Sequence, residues 1–273
     1  MKKIIFGMLS LCTVAFGSNL ANVSGETAGV FLKDKGPEGK PLIYRAEHFH
    51  KMATVPGFSM GAPSGLVPGY GVVFAGLSGT TTGSDKDAAL AMGMGFGNPD
   101  TIGGALSLGI GSVDPRDGGS FNRGSLNASV GHHFKKYGMG VSVGVSSVDL
   151  WHADSLDGDN ADPSFYTAVT KLYPNEIAPI VITAGLGNNG YVDINKENNR
   201  KDKVDGFGSV AVYVMPQVSL ILDYTMGVVS AGTSIVPFPD YPVTLNLGAG
   251  NLNKQGNNDK VSAIGSIAAA YVF

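Results

Sequence analysis

Apart from Cys12, cysteine is absent from the 273 residues. Neither a disulfide framework nor a thiolate metal cage can therefore hold the chain together. Tryptophan occurs once, at Trp151, and charged residues make up only 15% of the sequence. Setting aside Lys2 and Lys3, 17 basic and 22 acidic residues leave a formal charge of −5, which lacks the basic footprint of a nucleic-acid binder. Long apolar runs are missing too. The longest, Ile4 to Gly17, has fourteen residues, short of the roughly 20 that a membrane-spanning helix needs.

That one run reads as an export signal over residues 1–17. Lys2 and Lys3 supply the charged start, and Ala15 and Gly17 are the small residues a signal peptidase accepts. Cleavage is expected after Gly17, with Ala21 as the alternative. Cys12 lies inside the run behind Leu11, where a lipidated cysteine wants a small residue, so a lipid anchor is not expected.

What is abundant is glycine. Its 40 residues are about twice the usual share, and they alternate with apolar side chains rather than clustering. In Tyr137 to Val145 the odd positions are Tyr, Met and three Val, and the even ones are Gly or Ser. Val243, Leu245, Leu247 and Ala249 alternate with Thr244, Asn246 and Gly248 in the same way. A period of two marks a strand with one greasy face and one face of small residues. Twelve such stretches follow one another from Tyr70 to Phe273.

The links between them alternate as well. Asn98-Pro99-Asp100, Lys135-Lys136, Pro174-Asn175-Glu176, Pro216-Gln217 and Pro237 to Asp240 are tight. Thr80 to Asp87, Asp114 to Gly119, His152 to Pro163, Asn188 to Asp205 and Asn251 to Asp259 are longer and polar, with one exception near Met226. Short turns opposite long loops suit a transmembrane barrel and have no cause in a soluble sandwich. The expected fold is all-β: an antiparallel up-and-down transmembrane barrel of about 12 strands over residues 69–273, preceded by the signal and by an irregular segment, 18–68. That segment, rich in Gly and Pro, is either a periplasmic leader or a plug. Its lack of any period favours the leader.

The last strand ends Ala268-Ala269-Ala270-Tyr271-Val272-Phe273, so Ile267, Ala269, Tyr271 and Phe273 share the outward face. This resembles the terminal signature of bacterial outer-membrane β-barrel proteins, a porin-like class. The resemblance implies that the barrel-assembly machinery reads these residues, and that the outer membrane, with its lipid and lipopolysaccharide, is the chain's surroundings. Phe96, Phe134, Tyr137, Tyr173, Phe238 and Tyr241 beside the short turns, and Trp151, Phe165 and Tyr224 near the long loops, would form two interfacial girdles.

Small inward residues leave space in a barrel of this size, which lies between filled and water-conducting barrels. The functional expectation is a narrow pore for passive diffusion of small solutes; the alternative is a structural or surface-interaction protein working through its external loops. Arg123, Lys171, Asp223 and Asp149 are the candidate pore-lining residues, with Arg123 and Asp223 able to pair across the lumen. No enzyme is expected, since no Ser/His/Asp set or carboxylate pair gathers on one wall, and no cofactor is expected either. The letters Gly185 to Gly190 mimic a dinucleotide fingerprint but open no helix. Asp154, Asp157, Asp159 and Asp162 are weak ligands for a metal at most, and none is expected. His132 and His133 point to opposite faces of a strand.

Overall fold

A computed structural model describes residues 52–82, 85–111, 121, 123–152, 162–174, 178–195, 203–255 and 260–273. The proposed signal, residues 18–51, and the loop aspartates Asp157 and Asp159 lie outside these. Asp162 is described and exposed.

Twelve strands follow in order: β1 Val72–Thr82, β2 Asp85–Asn98, β3 Ile102–Gly111, β4 Arg123–Phe134, β5 Met139–His152, β6 Ser164–Tyr173, β7 Ile180–Asn188, β8 Val204–Met215, β9 Val218–Thr225, β10 Val228–Ile235, β11 Val243–Gly250 and β12 Ser262–Val272. Each pairs antiparallel with its sequence neighbours, and β1 pairs with β12 from Val72↔Val272 to Thr81↔Ala263, closing the barrel. Closure leaves no unpaired edge, the condition for strands to survive in lipid.

The period-two pattern is why these residues pair in this register. Met92, Met94 and Phe96 on β2, Leu220, Leu222 and Tyr224 on β9, and Ile267 and Tyr271 on β12 are all exposed on the outer wall. Slipping any of these strands by one residue would turn that face into the lumen. Every residue expected in the two girdles is exposed, from Phe96 and Tyr137 at one rim to Trp151 and Phe165 at the other. Ala269 and Phe273 also face outward. Apolar wall and aromatic rims together make this an outer-membrane β-barrel. Both barrel ends of the chain, at Val72 and Val272, lie at the short-turn rim, which is the periplasmic side in such proteins.

One link departs from expectation. Thr80 to Asp87 is mostly strand, since β1 and β2 stay paired out to Thr82↔Asp85. The hydrophobic alternation stops where the lipid belt stops, whereas the backbone ladder runs on as a polar ribbon. The exception near Met226 is a tight turn in which Met226 and Gly227 have φ of 61° and 79°, the backbone of a two-residue hairpin.

Candidate functional site in the barrel lumen

The lumen is occupied. Of residues 18–68 the described part does not hang below the barrel as a leader; it enters at the short-turn rim, where Ala53 N donates to Pro239 O (2.7 Å), and returns to that rim, where Tyr70 N donates to Gly97 O (2.8 Å). Between these points Val55, Phe58, Ser59, Met60, Ala62, Leu66 and Val67 are all buried. Pro56, Pro63 and Pro68 interrupt any regular ladder, so the backbone polar groups need partners from the wall.

The wall supplies them strand by strand. Gly57 N donates to Ser234 Oγ (2.7 Å), and Gly57 O accepts from Ser219 Oγ. Pro56 O accepts from Tyr213 OH (3.0 Å) and Phe58 O from Ser209 Oγ (3.1 Å). On the returning limb Ser64 O accepts from Ser142 Oγ (2.7 Å), Gly65 N donates to Thr170 Oγ1 (2.9 Å), and Val67 N donates to His133 Nε2 (3.0 Å). His132 faces outward instead, against Thr101 O and the Phe134 ring.

The strongest tie is at the tip. Asp223, 2% exposed, presents Oδ2 to Ser59 Oγ (2.7 Å) and to the consecutive amides of Met60 (3.1 Å), Gly61 (3.0 Å) and Ala62 (3.0 Å). Three successive N–H groups converging on one oxygen form an anion nest, and bonds to an ionised acceptor are the strong kind. Thr225 Oγ1 donates to the other oxygen, Oδ1 (2.9 Å).

Packing reinforces the polar ties along one side of the barrel. Val55, Phe58, Met60 and Leu66 join Leu172, Val181, Ala211, Tyr213 and Ile221 of β6 to β9 in one apolar cluster. Backbones touch where both partners lack a side chain. A Cβ on Gly65 would lie 2.3 Å from Gly140 O and 2.5 Å from Thr170 N. Gly65→Val should therefore lift the returning limb off β5 and β6, seen as faster protease cleavage between residues 52 and 70 with heat-modifiable gel mobility of the barrel retained.

From the opposite rim a second element folds inward. After β7 the turn Asn189–Tyr191 drops Tyr191 into the mouth, where it is 1% exposed. Its ring packs against Tyr166 (5.5 Å between centroids) and Phe207 (5.3 Å), and its hydroxyl lies 3.0 Å from Ser146 Oγ. Burial pushes the Tyr191 phenol well above its ordinary value, so it is a neutral hydrogen-bonding group. Ala62 at the tip of the inner segment belongs to the same cluster as Tyr191 and Phe207. The two elements thus meet inside the barrel.

The four pore-lining candidates have different fates. Asp223 faces the lumen but holds the inner segment, not Arg123. Lys171 does not line the lumen: on β6 the inward residues are Ser164, Tyr166, Ala168, Thr170 and Leu172, and the Lys171 ammonium lies outside, donating to Tyr137 O. Arg123 pairs in register with Gly111 and His152 at the long-loop rim. Asp149 reaches that rim opposite Ser125, where its Oδ2 lies 2.7 Å from His152 Nδ1. Strict alternation from Gly144 would turn Asp149 outward. A bulge prevents this: Ser147 adopts φ 60° and its N–H donates to Asn127 Oδ1 (2.9 Å), shifting the register of β5. Sequence reasoning missed Tyr191, Ser59 and His133 as lumen residues. Only the Gly and Pro punctuation of 57–68 hinted at an irregular chain in a confined place.

A groove of about 510 Å³ opens between β7, β8 and β9, where Gly206 and Gly208 leave the outer face bare beside Ile182, Leu222 and Tyr224. Those neighbours face lipid, so it is not part of a solute path.

No family model matches the chain, and no curated protein does. Among solved structures it is similar to an outer membrane channel from Pseudomonas putida F1 (TM-score 0.48, 11% identity, 75% of this chain and 97% of that one). It is also similar to outer membrane phospholipase A from Escherichia coli (0.43, 10%, 75% and 97%) and to the outer membrane protein Omp33 of Acinetobacter baumannii (0.40, 9%, 75% and 98%). At these identities the likeness is one of architecture.

Proposed function

We propose that this chain is an outer-membrane channel for passive diffusion of small solutes, here in a closed state in which residues 54–68 are the plug. The supporting observation is the chemistry of the wall that the plug touches. Ser142, Thr170, Ser209, Ser219, Ser234 and Asp223 hold its backbone, and all are groups that water can satisfy once the plug withdraws. A permanently filled interior is better served by apolar packing, because each buried polar group needs a partner. The part of the wall that holds the plug's backbone can be wetted once the plug leaves, and this supports the channel reading.

A reversible lock tests this reading. Ser64 Oγ and Thr170 Oγ1 lie 3.3 Å apart, so sulfurs in their places reach the roughly 2.05 Å disulfide distance with a small shift. The chain from Ser18 onward has no other cysteine. In a planar bilayer, the Ser64→Cys/Thr170→Cys chain that also carries Asp223→Ala, which removes the oxygen shared by the amides at the plug tip, should show current steps only after reduction, and oxidation should silence them. Equal silence in both states, with insertion confirmed, would remove the channel reading.

A further inference from the structure

One sector of the short-turn rim carries positive charge that no ion pair among the described residues neutralises. Lys135 pairs with Asp100. Lys136 and Lys171, by contrast, meet aromatic rings: Lys136 Nζ lies 5.8 Å from the centre of the Tyr137 ring, and Lys171 Nζ 5.6 Å from that of Tyr173. Lys171 also donates to Tyr137 O, so both ammonium groups are gathered around Tyr137. Among the described residues no carboxylate forms an ion pair with either.

The place is fixed by the fold. Lys171 stands two residues from the end of β6 on its lipid-facing side, in register with Met139, and Leu172 N donates to Gly138 O (2.8 Å), tying β6 to the Lys135–Tyr137 turn. Tyr137 and Tyr173 are exposed there beside Phe134, at the level of the aromatic girdle. A lysine stem lying on apolar wall with its head at that level sits at headgroup depth. Each ammonium has three donors, and only one of Lys171's is given to a carbonyl.

We propose that Lys136 and Lys171, framed by Tyr137 and Tyr173, form a binding site for the headgroup phosphate of an anionic phospholipid in the periplasmic leaflet. Two cations without an ion pair among the described residues favour a lipid with net negative charge, and a zwitterionic ethanolamine headgroup would bring its own ammonium against them. The rim position selects a phospholipid over lipopolysaccharide, which would meet the long-loop end. The site stands whether or not the lumen conducts.

The test is native mass spectrometry of the refolded chain from Ser18, released from micelles containing equal amounts of phosphatidylglycerol and phosphatidylethanolamine. Retention should favour phosphatidylglycerol, and Lys136→Gln and Lys171→Gln should each lower that preference by about fivefold, the value of one lysine near an anionic surface. Lys260→Gln, at the long-loop end, should leave it unchanged. Equal retention of both lipids by the unaltered chain would overturn the site, as would a preference that survives in the double variant. A loss produced by Lys260→Gln alone would place lipid recognition at the other rim, and would overturn it too.

Discussion

Asp223→Ala should free the plug without unfolding the barrel. The substitution leaves the amides of Met60, Gly61 and Ala62 and the Ser59 hydroxyl without the oxygen they share. Leaving a buried donor without its acceptor costs about 1–3 kcal/mol, so even one of these groups left bare moves a docked-to-released equilibrium by about 5- to 150-fold. The twelve-strand ladder contains none of these bonds, so the cost falls on docking and not on the wall. Asp223→Asn, which keeps an acceptor but loses the charge, should release the plug less. The readout is maleimide labelling of Ser64→Cys, whose site is 4% exposed in the docked state. Labelling should be slow in the parent, faster with Asp223→Asn and fastest with Asp223→Ala. Labelling rates indifferent to Asp223 would mean that the apolar cluster around Phe58 and Leu66 holds the segment by itself.

The same cluster explains which parts of this molecule were legible in its sequence. Strand number, order and the outward face follow from alternation, because lipid imposes one constraint on every outward residue from β1 to β12. The lumen imposes no uniform constraint. Where the plug is apolar, the facing wall is apolar too, as at Leu172, Val181 and Ile221. Both faces of β6 are then greasy near Lys171, and its inward assignment fails. Asp149 follows a different logic, since a bulge is set by one side chain, Asn127, acting on the neighbouring strand. The plug itself has no period because its hydrogen bonds go to side chains on six strands, not to a neighbouring backbone. Asp223 was visible as a charge that needs a partner. Its partner is a run of backbone amides, which no residue type in the segment advertises.

Tyr191→Ala should leave the intact channel closed and yet widen it once the plug is gone. The inner segment and the Tyr191 turn enter from opposite rims and meet at Ala62, so they obstruct the lumen in series. With residues 52–67 deleted, the aromatic group of Tyr166, Tyr191 and Phe207 still narrows the mouth on the side of β6 to β8. Truncating Tyr191 in that background removes the ring that bridges Tyr166 and Phe207, and leaves the Ser146 hydroxyl to water. Single-channel conductance in planar bilayers should thus rise in the order parent and Tyr191→Ala, both closed; the deletion, open; and the deletion with Tyr191→Ala, larger still. Current from Tyr191→Ala alone would show that the outer turn, not the inner segment, is the principal barrier. A deletion whose conductance ignores Tyr191 would show that solutes pass along the opposite wall, past β11, β12 and β1, where that ring does not reach.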